Sequence, residues 1–331
     1  MLPLSIERIP SFLGKNDKKI SLACVLLIGV SLYAEVVEVI SSFYTEENLA
    51  EGCFEKIRNA YSLRFVDLQH PVPITKDHRS IKRYVVFSSY EPIADLRVLP
   101  LEKTVLFMME PAQYSYEDAE PYCRVYTWDD AAIDNVKFFK YCFPDLLPMI
   151  DVLAPFEEKK LCTMVVRNWS IPHRGAILAF FLTKPKGELE FYGSPYLYEL
   201  SCNKFYKGRI PGKNCGKEKI DILKNYRFCI CFENNTTLNG YISEKIFPCF
   251  AAGCVPVYFG APNVEEYIPK NCFIDYRDFN NNEELYQFMK SMSKEVYERY
   301  IENIRAFLVS EKAQRFSPQS FAQILYEAVN Q

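Results

Sequence analysis

From Arg83 onward the chain alternates short apolar runs with turn-rich and amphipathic stretches. Tyr84–Ser88, Thr104–Met109 and Cys123–Thr127 are rich in branched and aromatic residues and bounded by charged or turn-forming segments. That pattern predicts buried strands. Pro144, Pro148 and Pro155 punctuate the next stretch and mark a domain boundary. A second series then opens: Leu161–Val166, Glu188–Tyr192, Phe228–Phe232, Val255–Phe259 and Cys272–Tyr276 read as strands. Between and after them, Gly175–Leu182, Lys217–Tyr226, Ser243–Ala252, Asn282–Met292, Lys294–Val309 and Pro318–Val329 read as helices. Residues 41–82 are mixed, with a helix expected near Glu46–Tyr61. Strands alternating with helices in two successive blocks predict an α/β chain of two doubly wound, Rossmann-like domains facing each other.

The N-terminal part behaves differently. Ile20–Ala34 carries no charge over fifteen residues and follows Lys15, Lys18 and Lys19. It is shorter than the ~20 residues a spanning helix needs, and Glu35 and Glu38 interrupt any extension. A short signal-anchor, a cleaved signal peptide and a helix lying on a membrane or protein surface all remain open. Leu32, at position −3 of a site cleaved after Ala34, fits a small-residue cleavage site poorly. The expected layout is 1–45 N-terminal segment, 46–155 first domain, 156–309 second domain and 310–331 a C-terminal helix that crosses back to the first.

Composition narrows the function classes. A net charge of −3 supplies no basic field for nucleic acid. Twelve cysteines include no C-x-x-C pair, and three histidines make a structural zinc site a poor expectation. Cys229 and Cys231 sit inside an apolar run, where a thiol acts as a small buried hydrophobe.

The densest candidate chemistry runs from Tyr226 to Gly260. An all-apolar strand ends in Glu233-Asn234, and Gly240-Tyr241-Ile242-Ser243-Glu244-Lys245 then opens the expected helix. Ligands of open α/β sheets bind beyond the C-terminal strand ends. A helix N-terminus with Lys245 in its first turn suits a diphosphate. The competing reading is a plain helix cap, Ser243 followed by an acid favourable to the helix dipole. Glu233, Asn234, Tyr241, Glu244 and Lys245 converging on one strand end favour the binding site.

Phe232-Glu-Asn234, Gly240-Tyr-Ile-Ser-Glu-Lys245 and Gly253-Cys-Val-Pro-Val-Tyr-Phe-Gly260 resemble the signature block of the α1,3/1,4-fucosyltransferases. Ala261–Pro269 and Cys272–Phe279 extend the likeness, which is strong over 161–308, weaker over 83–151 and absent before that. Ser243 stands where the family has Thr, and Pro248 threatens to kink the helix. The resemblance implies the two-domain GT-B fold and inversion at the anomeric carbon. It implies a donor site in which Lys245 and Arg174 hold the diphosphate, Glu244 meets sugar or ribose hydroxyls, and Asn234 and Tyr241 line the pocket. A planar guanidinium suits that task, since it grips two phosphate oxygens at once. Met109-Glu110-Pro111 is similar to the family's strand-then-Glu segment, which implies Glu110 as general base; Glu91 and Glu117 are rivals.

No Asp-x-Asp occurs, and Asp129-Asp130 after Trp128 reads as a turn, so no metal or other cofactor is expected. The implied donor is GDP-β-L-fucose. The implied acceptor is a glycan, free or on glycolipid or glycoprotein, probed first at O3 of N-acetylglucosamine. A GT-B transferase using another nucleotide sugar, and a catalytically silent, membrane-tethered glycan-binding relative, are the alternatives. Asn168, Asn234 and Asn235 open N-glycosylation sequons, two of them inside the donor block. A glycan there would obstruct the pocket, which predicts membrane attachment with the catalytic domains facing the cytoplasm. A Golgi membrane with a lumenal catalytic domain is the alternative.

Overall fold

The computed structural model describes residues 35–41, 44–67, 78–88, 99–111, 116–119, 121–168, 171–194, 203–211 and 216–331. The N-terminal segment 20–34 and Glu91 lie outside them. Among the described residues, no helix is long and apolar enough to cross a membrane.

Two parallel sheets organise the chain. The first contains β1 (Val36–Ser41), β2 (Ser62–Asp67), β3 (Ile81–Ser88), β4 (Thr104–Met108), β5 (Arg124–Thr127) and β6 (Phe138–Lys140), in the order β2-β1-β3-β4-β5-β6. Short helices α1 (Glu55–Ala60) and α2 (Tyr116–Ala119) lie between its strands in sequence. The second sheet contains β7 (Lys160–Val166), β8 (Leu189–Gly193), β9 (Tyr226–Phe232), β10 (Val255–Phe259) and β11 (Ile274–Asp275), ordered β11-β10-β9-β7-β8. Its helices are α3 (Pro172–Leu182), α4 (Lys217–Leu223), α5 (Phe247–Ala251), α6 (Asn282–Ser291) and α7 (Lys294–Leu308); α8 (Pro318–Asn330) closes the chain.

A parallel sheet must be covered on both faces, and the alternation of the first sheet does this. Val85, Phe87, Val105 and Phe107 point into one core, while Tyr84, Val86, Leu106 and Met108 point into the other. The cover of the first core comes from the far end of the chain. Phe321 of α8 lies 5.6–6.3 Å from the rings of Phe87, Phe107 and Tyr141, and Leu325, Ala328 and Val329 continue the contact. The C-terminal helix thus belongs spatially to the first domain.

Three expectations change. The first domain begins before residue 46, because Val36–Ser41 is an interior strand paired with both β2 and β3. Glu38, which reads as an interruption of the apolar run, is fully buried on that strand, 3.6 Å from Arg64 of β2. Glu46–Tyr61 is not one helix but two 3₁₀ turns, Glu46–Ala50 and Gly52–Phe54, followed by α1.

The third change touches the candidate site. The helix expected from Ser243 begins only at Phe247, with Ile246 as its N-cap and Pro248 in the second position. A helix started at Ser243 would need the Pro248 nitrogen to donate to the Glu244 carbonyl, and proline has no N–H to give. Proline near the first position is tolerated because that N–H has no helical partner. Ser243–Lys245 therefore form a loop, and α5 is too short to provide a dipole for anions.

Candidate active site

The strand order of the second, all-parallel sheet reverses between β7 and β9, and in open sheets of this kind the crevice beyond such strand ends, here Val166 and Phe232, is the usual ligand position. Glu233 follows β9 directly and is fully buried. Its amide continues the ladder to Phe259 O at 2.8 Å. Its carboxylate accepts from the Ser243 amide (2.9 Å) and the Ser243 hydroxyl (2.7 Å), and pairs with Lys245 Nζ at 3.0 Å. One buried carboxylate thereby folds the Ser243–Lys245 loop back over the strand end. Ser243 is a partner of Glu233 rather than a helix cap. Lys245 also donates to Ser243 Oγ at 2.8 Å and stands 3.7 Å from Glu244. Burial works against the Lys245 ammonium, but Glu233 and Glu244 outweigh it and hold its pKa above the usual lysine range. Glu244 is depressed in turn: burial opposes its ionisation, and Lys245 and Lys219 overcome that.

Arg174 occupies the first turn of α3 and is 2% exposed. Its Nε and Nη2 donate to Phe232 O at 3.1 and 2.5 Å, and Nη1 donates to Asn168 O at 3.1 Å. The guanidinium therefore ties the start of α3 to the end of β9. Burial lowers the Arg174 pKa below the usual arginine range, and the nearby Glu233, Tyr241 and Glu244 counter this only in part. His173, one residue earlier, sits 3.0 Å from Glu233 O through Nε2.

On the other side of the crevice, Glu110 lies two residues beyond β4. Its Oε2 accepts from Asn234 Nδ2 at 3.1 Å and from the Tyr241 hydroxyl at 3.4 Å. Asn234 and Tyr241, both from the second domain, thus converge on a first-domain carboxylate. Burial raises the Glu110 pKa above the ordinary carboxylate value, partly countered by Lys245 and by the two hydrogen bonds. Tyr241 is 1% exposed and packs edge-on against Trp128 (4.8 Å) and Phe143 (6.2 Å), inside the first domain's core. It is a plug between domains with only its hydroxyl turned to the crevice.

Arg174, Asn234, Tyr241, Glu244 and Lys245 therefore share the strand ends that face Glu110. Glu117, one rival base, lies on α2. Two residues escaped the sequence reading of roles. Glu233 organises the loop, and its signal was a charged residue set directly on an all-apolar strand. Lys219, in the first turn of α4, lines the same recess as Val166, Phe232 and Lys245; nothing in its local sequence separates it from the lysines beside it.

A thiol cluster lies behind the loop. The sulfurs of Cys229, Cys231 and Cys249 fall within 4.8 Å of one another and form the one group among the described residues with metal-holding geometry. Spacing along the chain did not show it, because Cys249 arrives from α5. Cys231 and Cys249 both approach Lys245 O, at 3.5 and 3.7 Å. Burial pushes the Cys249 thiol well above its ordinary range, as for a small hydrophobe in a core.

Two facing parallel α/β domains, with a carboxylate on one and a cationic strand-end loop on the other, give the chain the GT-B architecture. The fold matches a crystal structure of alpha1,3-fucosyltransferase with GDP, at a TM-score of 0.58 and 14% identity over 91% of this chain and 92% of that one. It also matches Anabaena Alr3699/HepE in complex with UDP and glucose, at 0.56 and 10% identity over 90% and 99%. Residues 156–324 match the family model described as glycosyltransferase family 10 (fucosyltransferase) C-term, about half the chain, and the protein belongs to that family.

Among curated proteins, the mouse 4-galactosyl-N-acetylglucosaminide 3-alpha-L-fucosyltransferase 9 is 31% identical over 144 residues, 43% of this chain and 35% of that one. An alpha-(1,3)-fucosyltransferase of Helicobacter pylori is 30% identical over 139 residues, 41% and 28% respectively. The matched stretch thus spans about a third of these relatives' length.

Proposed function

We propose that the chain transfers L-fucose from GDP-β-L-fucose, with inversion, to a hydroxyl of an acceptor glycan. The observation that carries this reading is Glu110, a partly buried carboxylate held by Asn234 and Tyr241 and facing the Arg174–Lys245 cluster across the crevice. Glu110 takes the proton of the acceptor hydroxyl as that oxygen attacks the anomeric carbon. The bond from that carbon to the β-phosphate oxygen breaks, and GDP leaves with the electron pair. A raised pKa brings the base nearer to working pH and strengthens it.

Arg174 and Lys245 act on the diphosphate, with Lys219 beside them, and stabilise the charge that develops on the leaving group. Glu244 accepts from donor hydroxyls. These cations supply the electrostatics for which other transferases use a divalent ion, so no metal or other cofactor enters the reaction. The names of the mouse and H. pylori relatives support an α1,3 linkage, and the mouse name supports O3 of N-acetylglucosamine as the first acceptor position to test. The acceptor is carried on a glycan, glycolipid or glycoprotein.

We also infer membrane attachment through residues 20–34 with the catalytic domains on the cytoplasmic side. Asn234 Nδ2 donates to Glu110, and a glycan on that nitrogen would displace it from the base. Protease protection in sealed vesicles decides the matter: shielded catalytic domains would place them in a lumen, as for a Golgi enzyme.

A calorimetric donor screen with hydrolysis measured in parallel tests the central reading. GDP-fucose is expected to bind and turn over in preference to GDP-mannose and UDP-sugars. Preference for a UDP-sugar would reassign the donor, and binding without hydrolysis or transfer would make the chain a glycan-binding relative.

A further inference from the structure

We propose that Asp130 is a positioning residue, holding the donor-domain loop that presents Asn234 and Tyr241 to Glu110. The inference rests on Glu110 being the base. In the sequence, Asp129-Asp130 is a turn signal, and Asp129 does cap a turn by accepting from the Ala131 amide. Asp130 does something else. Its Oδ1 accepts from Lys140 Nζ at 2.7 Å and from the Tyr267 hydroxyl at 2.5 Å, and its Oδ2 accepts from Asn263 Nδ2 at 2.8 Å. Its backbone amide donates to Asn239 O at 3.3 Å. Tyr267 and Asn263 follow β10 and Asn239 follows β9, so two donor-domain loops end on one first-domain residue.

The connection runs on to the base. Asn263 Oδ1 accepts from the Gly240 amide at 2.8 Å, and Tyr241 is the next residue. Gly240 has φ of +80°, and a Cβ there would lie 2.3 Å from Trp128 O and 2.8 Å from Asp130 Oδ2. The loop is pressed so closely onto Trp128 and Asp130 that only glycine fits. Tyr241 then lands on the Trp128 ring with its hydroxyl on Glu110. Burial alone would raise the Asp130 pKa, but the bonds from Lys140, Tyr267 and Asn263 outweigh it and hold the carboxyl below its usual range. The anchor is therefore charged wherever the base is in use. Asp130 touches no reacting atom: it acts by fixing where Asn234 and Tyr241 stand.

Asp130→Asn tests this, because it preserves shape while an amide cannot accept on both arms. Turnover is read as GDP release from GDP-fucose, with and without N-acetyllactosamine. We expect kcat to fall at least about tenfold, since a ~1 Å misplacement near a reacting group can cost ~10²-fold. The GDP-fucose KM is expected to stay within about twofold, as for an interaction felt in the chemical step. In an Asn234→Ala/Tyr241→Phe background the same substitution is expected to cost less than about threefold, because residues acting through one another are non-additive. Unchanged turnover, an equal loss in both backgrounds, or a loss carried wholly by donor KM would each overturn the proposal. Glu110→Gln runs alongside. If it keeps its turnover, the base assignment falls; if it is inactive while Asp130→Asn behaves as the parent, only the positioning role falls.

Discussion

Asn234 Nδ2 lies 3.1 Å from Glu110 Oε2, a hydrogen bond between residues 124 positions apart that joins the two domains at the proposed point of reaction. A first-domain acid thus owes part of its orientation to the second domain's strand end.

Glu110→Gln is expected to lower transfer by about 10²–10⁴-fold, the usual contribution of a general base. GDP binding, followed by calorimetry, should stay near that of the parent, because the base acts on the acceptor. Activity within about tenfold of the parent, well short of that contribution, would send the role to Glu91 or Glu117.

The pH dependence follows from the same carboxylate. A base must be deprotonated, and burial raises the Glu110 pKa. Activity should therefore decline with falling pH at a point above the ordinary glutamate range, with Lys245, Glu244, Asn234 and Tyr241 as its neighbours. The linked stability effect has the opposite slope. Between the unfolded and the raised folded pKa the native state binds more protons, so this group's contribution to stability is lost as pH rises through that window. A kcat/KM profile whose acidic limb sits at or below the free-glutamate value would exclude Glu110.

Lys245→Ala should weaken GDP-fucose binding by roughly 1.5–3 kcal/mol, the worth of a charge-assisted contact. Arg174→Ala should do the same and also lower the thermal midpoint, because it strips the buried Phe232 carbonyl of its guanidinium donor and frees Asn168 O as well. Unchanged donor affinity in both variants would put the diphosphate elsewhere.

Transfer is expected to survive EDTA. Loss that Mn²⁺ restores would show that the Arg174–Lys245 cluster does not suffice for the leaving group.

Phe321→Ala should destabilise the fold by about 3–5 kcal/mol, the range for emptying an aromatic site in a core. Chemical denaturation checks it, and a change below ~1 kcal/mol would mean that α8 is not an integral cover of the first sheet.

Much of this was legible in the chain, for physical reasons. Strands such as Phe228–Phe232 are buried on both faces, so their apolar runs stand out whatever surrounds them. The donor block was legible because a polar cluster directly after such a strand has few structural uses. Val36–Ser41 was missed because Glu38 breaks the apolar run, and its pairing with Arg64 on the neighbouring strand, which helps make that burial tolerable, leaves no mark in the local sequence. The late start of α5 follows from Pro248, which the sequence displayed but whose effect depended on register. The reach of Asp130 to Asn263 and Tyr267 spans more than 130 positions, and no local pattern encodes it.

The position of α8 bears on how the protein is made. Its apolar face closes a sheet whose last strand, β6, was completed at Lys140. At ~5–20 residues per second, on the order of ten seconds or more of translation separates that strand from its cover. Throughout that interval Phe87 and Phe107 lack their final cover, and a nascent chain in this state is a ready client for chaperones. Completion of the amino-terminal lobe's core therefore waits until α8 has been synthesised and has docked.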